Sequence, residues 1–134
     1  MLLYLLPYGH KIKKNKQLCE VYKSKYKNKK FIDENGVKWD SKREYKRYLE
    51  LKEKEEKGEI SNLQRQVTYQ VMPKLYDENG KFKHHPIKYV ADFVYTDNLT
   101  GKEIVEDAKG LRTEVYKIKK KLMYWQYKIE ISEV

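Results

Sequence analysis

Between Tyr89 and Gly110, in YVADFVYTDNLTGKEIVEDAKG, two aspartates and a lysine stand among alternating apolar residues: Asp92 in the first half, Asp107 and Lys109 in the second. Side chains on a strand alternate between faces and residues two apart share one, so Asp107 and Lys109 are expected to point the same way. If Asn98 to Gly101 close a four-residue turn, antiparallel pairing sets Val94 across from Val105 and Asp92 across from Asp107. Like charges directly opposite one another destabilise a sheet, so something must hold the two carboxylates there. One answer is a divalent cation, since Mg²⁺ is typically held by one or two carboxylates together with waters and phosphate oxygens. The other is a pair of salt bridges, from Asp92 and Asp107 to Lys109 or Arg112. The spacing of an acidic residue and a lysine two apart recurs in ELK at Glu50 and EEK at Glu55, but both lie in a predicted helix, where residues two apart do not share a face.

The elements that must position these groups follow from periodicity and turn chemistry. DSKREYKRYLELKEKEEKGEI is the clearest helix: Ser41 and Glu44 match a capping box, Tyr45, Tyr48, Leu49 and Leu51 form an apolar face, and Gly58 stands where a C-terminal cap belongs. Before it, Asn35-Gly36 between two short apolar-bearing runs predicts a hairpin. After it, the chain alternates at period two on both sides of DENG at 77–80, with Pro73 marking an edge or bend, which predicts two strands joined by a long turn. KEIVEDAK supplies a third strand. RTEVYKIKKKLMYWQYK repeats Val115, Ile118, Leu122 and Trp125 at helical spacing, and IEISEV closes as a short strand. The predicted order is helix, three strands, helix, strand: an α/β (α+β) fold with a central mixed sheet.

Composition bounds the rest. A chain of 134 residues, 40% hydrophobic, supports one compact domain with a core, and its 13 tyrosines make that core partly aromatic. Residues 1–30, dense in lysine and without clean periodicity, read as a basic arm, and 31–134 as the folded domain. Lys and Arg outnumber Asp and Glu by 30 to 20, and a net charge of +10 makes a polyanion a natural partner. The single cysteine, Cys19, excludes an internal disulfide and a cysteine-cluster zinc site and fits a reducing cytoplasm. The opening MLLYLLPYGH has no preceding basic residue and no small-residue cleavage site, so a signal peptide is not expected, and nothing is long enough to span a membrane.

With the carboxylates placed on adjacent strands, the sequence resembles the PD-(D/E)XK, or restriction-endonuclease-like, nucleases, most closely their small phage- and prophage-encoded members, over about Lys25 to Val134. The residues that carry the resemblance are Glu44 in WDSKREY, Asp92 in YVADFVY, and Asp107 with Lys109 in VEDAKG; Ala91 stands where the family name has proline. The resemblance implies catalytic roles for Glu44, Asp92, Asp107 and Lys109. It also implies a Mg²⁺ site, which Mn²⁺ can also fill, made by Asp92, Asp107 and the Ala108 carbonyl, with Glu44 a further candidate. The metal would polarise the scissile phosphate and lower the pKa of a bound water, and Lys109 would orient that water or neutralise developing charge. In-line attack would leave 5′-phosphate and 3′-hydroxyl ends. Gln66 in LQRQV resembles a glutamine that precedes the second core strand in such nucleases. Glu44 has a competing structural role as the acidic member of the Ser41 capping box.

Arg112, Lys119 and Lys121 are candidate contacts to a nucleic-acid backbone. His84-His85 is a weak metal pair, because adjacent residues on an extended segment face opposite sides and no third ligand lies near in sequence; an exposed loop is the better reading. Two function classes follow: a metal-dependent DNA endonuclease, branch-selective like the Holliday-junction resolvases, or a non-enzymatic DNA-binding protein that keeps the fold. The intact Asp92, Asp107 and Lys109 set favours the first, since a pure binder gains nothing from carboxylates facing phosphates. A two-fold homodimer in contact through Met1 to Tyr8 would give two sites for two strands, in the cytoplasm of a bacterial host.

Overall fold

The computed structural model of the chain describes residues 21–23, 29–108 and 111–134. Most of the basic arm expected over 1–30, including Met1–Tyr8 and Cys19, lies outside the described residues, as does Lys109. The chain divides into two compact units, Met1–Arg47 and Tyr48–Val134, with the boundary inside the first helix.

In the first unit β1 (Val21–Lys23), β2 (Lys29–Ile32) and β3 (Lys38–Trp39) form an antiparallel sheet. The Asn35-Gly36 turn forms as predicted, with Gly36 at φ +80°, a conformation that costs a residue with a Cβ. Asp33 organises it: Oδ1 accepts from the Asn35 and Val37 N–H groups at 2.9 and 3.0 Å, and Oδ2 accepts from Trp39 Nε1 at 2.9 Å. The Trp39 ring is buried and packs edge-on against Tyr45, their centroids 5.0 Å apart.

Helix α1 (Lys42–Glu56) begins with the predicted box. Ser41 Oγ accepts from the Glu44 N–H at 3.1 Å, and Glu44 Oε2 accepts in return from the Asp40 N–H at 3.2 Å, one residue upstream of the usual partner. At its other end Gly58 takes φ +77° and the Glu59 N–H donates to the Lys54 carbonyl at 3.0 Å, closing the helix as expected. Leu51 is fully buried and Tyr48 stacks on Phe93, with centroids 6.4 Å apart. Leu49 departs from the predicted face: it is 49% exposed, because the buried stripe of the second unit runs through positions 48, 51 and 55.

The second unit is built on a four-stranded mixed sheet in the order β4 (Ile60–Met72), β7 (Ile87–Asp97), β8 (Glu103–Asp107), β9 (Ser132–Glu133). The first three run antiparallel and β9 pairs parallel with β8. Helix α2 (Glu114–Tyr127) connects β8 to β9, so the described chain has the predicted order of helix, strands, helix, strand and a mixed α+β architecture. The predicted long turn between β4 and β7 is itself a small two-stranded ribbon, β5 (Leu75–Tyr76) with β6 (Phe82–His84). Val71, Tyr89, Ala91, Val94 and Val105 from the sheet pack with Tyr116 and Met123 of α2 and with Ile131. The tyrosines make this core partly aromatic, as composition suggested.

The face of α2 that joins this core is not the one predicted. Val115, Ile118 and Trp125 are exposed by 60%, 56% and 66%, and Leu122 is half-buried, whereas Tyr116 and Met123, seven residues apart, are buried. Thr113 caps the helix through Oγ, which accepts from the Tyr116 N–H at 3.1 Å, and Lys128 ends it in the left-handed region at φ 59°. Among the described residues no helix is long and apolar enough to cross a membrane.

Candidate functional site

The β7–β8 hairpin adopts the register expected from its turn. Val94 pairs with Val105 and Phe93 with Glu106, and continuing that ladder by one residue sets Asp92 opposite Asp107. The four-residue loop closes through the Asp97 N–H to the Lys102 carbonyl at 2.9 Å and the Gly101 N–H to the Asp97 carbonyl at 2.7 Å. Asp92 and Asp107 thus share a sheet face with Val94 and Val105.

Each carboxylate has dedicated donors. Asp92 Oδ2 accepts from the Ala108 N–H at 2.8 Å, a bond that crosses from β7 to the end of β8 and ties the two acidic positions together. Asp92 Oδ1 accepts from Gln66 Nε2 at 3.3 Å. Asp107 is wholly buried, and its Oδ2 accepts from the Tyr89 hydroxyl at 2.8 Å. The Asp107 backbone is held from the other side as well, its carbonyl accepting from the Val134 N–H at 3.1 Å beside the β8–β9 pairing. A carboxylate offers about four lone-pair positions, so both groups can accept these donors and still ligate a cation.

Gln66 reaches Asp92 from an unusual backbone conformation. It lies within β4 at φ +53°, a left-handed state that costs a residue with a side chain about 1–2 kcal/mol. Its neighbours Arg65 and Val67 pair regularly with Phe93 and Ala91, and β4 takes the same left-handed state once more, at Asn62 with φ +55°. Backbone strain of this kind gathers where a site needs a side chain aimed against the run of its strand.

Tyr89 and Tyr116 are site neighbours that sequence reasoning missed. Burial, then the negative charge of Asp107 and the hydrogen bond to it, hold the Tyr89 phenol far above the ordinary tyrosine range, so it stays a donor to Asp107. Tyr116 is raised as well, first by burial, then by its hydrogen bond to Glu133 and by the charge of Asp107. With 13 tyrosines in the chain, no local signal marks these two. Glu106 is a second buried carboxylate beside Asp107, but adjacent strand residues face opposite ways, and it accepts from the Tyr95 hydroxyl instead.

The remaining predicted residues fall in several places. Glu44 belongs to the first unit, where it is buried and makes the capping contacts given above. Lys109 lies outside the described residues. Arg112 is engaged with Glu133, Nε and Nη2 both 2.8 Å from Oε1, while Glu133 Oε2 takes Lys120 Nζ at 3.3 Å and the Tyr116 hydroxyl at 2.8 Å. These groups, with Lys117 and the exposed Lys121, line an open groove of about 570 Å³ along α2. Lys119 is half-buried on the same helix. His84 and His85 are exposed.

The donor set at the hairpin consists of hard oxygens: two carboxylates and, next to them, the Ala108 carbonyl. That suits Mg²⁺ or Mn²⁺, which need one or two carboxylates rather than a full protein cage. Among the described residues no group of three or more His, Cys, Asp or Glu side chains is arranged to hold a metal ion.

The family model described as "Protein of unknown function (DUF1064)" matches residues 23–132. The chain belongs to the DUF1064 family. No curated protein and no solved structure matches it. The DUF1064 match covers both members of the carboxylate pair, the Gln66 kink, Tyr89 and all of α2, and ends one residue before Glu133.

Proposed function

We propose that this DUF1064 protein is a metal-dependent endodeoxyribonuclease of the restriction-endonuclease-like type, selective for branched DNA in the manner of a junction resolvase. The observation that carries the reading is the β7–β8 register with its Ala108-to-Asp92 hydrogen bond, which brings Asp92 and Asp107 together on one sheet face. Support comes also from the order of helix, strands, helix and strand around a mixed sheet, and from the net charge of +10.

Asp92, Asp107 and the Ala108 carbonyl would hold Mg²⁺ or Mn²⁺; when bound, the ion supplies Lewis-acid polarisation of the phosphate and a water of lowered pKa. Gln66 and Tyr89 orient the two carboxylates, each through one hydrogen bond. Lys109, two residues beyond Asp107, would place the attacking water or offset charge on the phosphoryl oxygens. The water oxygen bonds to phosphorus as the P–O3′ bond breaks; the water gives up a proton and the departing 3′ oxygen gains one. The products are 5′-phosphate and 3′-hydroxyl ends. Arg112, Lys119 and Lys121 would contact phosphates. Two strands are cut by a homodimer whose contact includes Met1 to Tyr8, acting in the cytoplasm of a bacterial host that carries the gene on a phage or prophage.

The direct experiment incubates purified protein with labelled duplex, four-way junction, single-stranded DNA and RNA in Mg²⁺, Mn²⁺ or chelator. Cutting of branched DNA with metal and none in chelator is expected. Binding without cutting in every metal would return the protein to the class of DNA-binding proteins that keep the fold.

A further inference from the structure

The chain uses the turn DENG twice, at 33–36 and 77–80, with the same construction. In each, the aspartate Oδ1 accepts from the backbone N–H groups two and four residues on, and the glycine sits at φ +80°. The hairpins differ in what becomes of their aromatic residues. In the first, Trp39 is buried and packs on Tyr45. In the second, the β5–β6 ribbon, Tyr76 and Phe82 are cross-strand partners on one face, 6.3 Å apart and edge to face, yet 56% and 42% exposed. The His85 ring extends this cluster, 4.8 Å from Phe82.

A two-stranded ribbon is marginally stable on its own, and exposed rings at its centre add nothing to its stability unless something covers them. The charge around the rings states what that is. Residues 74–88 carry four lysines, Lys74, Lys81, Lys83 and Lys88, against Asp77 and Glu78. Asp77 is held by the turn and pairs with Lys83, 4.0 Å away, which leaves Lys74, Lys81 and Lys88 against Glu78, so the ribbon is net cationic with an aromatic centre. Flat rings among lysines suit a nucleic acid: the cations take phosphates and the rings take the faces of bases. Bases offer their faces only where they are unpaired. The ribbon also continues β4 and β7, and Ile87 lies five residues along β7 from Asp92, about 17 Å away at strand rise. That puts the base of the ribbon about half a turn of duplex from the carboxylate pair, with the rings farther out.

We propose that the β5–β6 ribbon is a second nucleic-acid contact, which stacks Tyr76 and Phe82 on unpaired bases at a junction or fork while its lysines hold the adjoining phosphates. It deepens the nuclease reading by naming a structural feature of the substrate, and it rests on that reading only as far as nucleic-acid binding.

The test measures affinity by fluorescence anisotropy in chelator, in an Asp92→Ala background, for a forked DNA and for a fully paired duplex of equal length. Y76A/F82A should weaken binding to the fork by about tenfold and leave duplex binding within about twofold, since stacking applies only to unpaired bases. Y76W/F82W should restore fork binding, which separates stacking from damage to the ribbon. K81E/K83E should weaken both substrates and lower the slope of log affinity on log salt by about 1–2. Fork binding by Y76A/F82A equal to the parent, or an equal loss on fork and duplex, overturns the ribbon assignment and leaves the nuclease reading standing. A parent protein that binds neither DNA overturns both.

Discussion

Replacing Tyr89 by phenylalanine deletes one oxygen and leaves the ring in the core. The lost hydroxyl is 2.8 Å from Asp107 Oδ2, and Asp107 is wholly buried, so water cannot take its place without opening the sheet. A hydrogen bond to a charged group contributes about 1.5–3 kcal/mol, and leaving a buried carboxylate short of a donor costs at least as much. For a chain of this length each kcal/mol moves Tm by about 3–5 °C, so Tyr89→Phe should melt about 5–15 °C below the parent in chelator. If Tyr89 also aims Asp107 at a metal, the concentration of Mn²⁺ needed for half-maximal DNA cleavage should rise about 10–100-fold, as when other groups that orient metal ligands are removed. High Mn²⁺ should then recover most of the rate. The assay pairs thermal unfolding in chelator with cleavage across a Mn²⁺ titration. Unchanged Tm would refute the contact itself. Lowered Tm with an unchanged Mn²⁺ requirement would reduce Tyr89 to a core residue and separate Asp107 from metal binding.

Other outcomes follow from the packing. Met123→Ala should destabilise the protein by about 2–5 kcal/mol in urea unfolding, while Ile118→Ala should stay within about 0.5 kcal/mol; the reverse order would restore the face of α2 first read from the sequence. Glu133 is held below the ordinary carboxylate range, first by its hydrogen bond from Tyr116, then by Arg112 and Lys120. A depressed folded pKa gives stability that is present above the unfolded value of 4.5 and lost as pH falls through the folded one. The gap in stability between parent and Glu133→Gln should therefore close as pH drops from about 5 to 3, and a gap constant over that range would contradict the ion cluster. For assembly, sedimentation of the full chain beside a version starting at Lys23 should show a dimer that truncation abolishes; monomers in both would remove the homodimer.

Much of the hairpin was legible because its constraints are local. A four-residue loop and period-two alternation favour the register that pairs Val94 with Val105, the one the structure adopts, and that register carries Asp92 to Asp107. The capping of α1 was equally local: Ser41, Glu44 and Gly58 act through backbone groups within a few residues. The face of α2 was not local. The helix has apolar residues on more than one side, and the sheet selects Tyr116 and Met123 over the more hydrophobic stripe through Val115, Ile118 and Trp125, because tyrosine can bury its ring and still place its hydroxyl on Glu133. Tyr89 was hidden for the same reason, since its role depends on a partner 18 residues away. The β5–β6 ribbon reads in the sequence only as a long turn, because its strands are two and three residues long, too short for alternation to show.

The most direct test of the central claim is the cleavage rate of a labelled DNA junction by the parent, Asp92→Ala, Asp107→Ala and Lys109→Ala, each in Mg²⁺ and in chelator. The carboxylate pair, with Lys109 two residues on in sequence, predicts cutting by the parent in Mg²⁺ alone, with 5′-phosphate ends, and loss of most activity in each variant while all four bind the junction in chelator. Equal cutting by the parent and all three variants would contradict it.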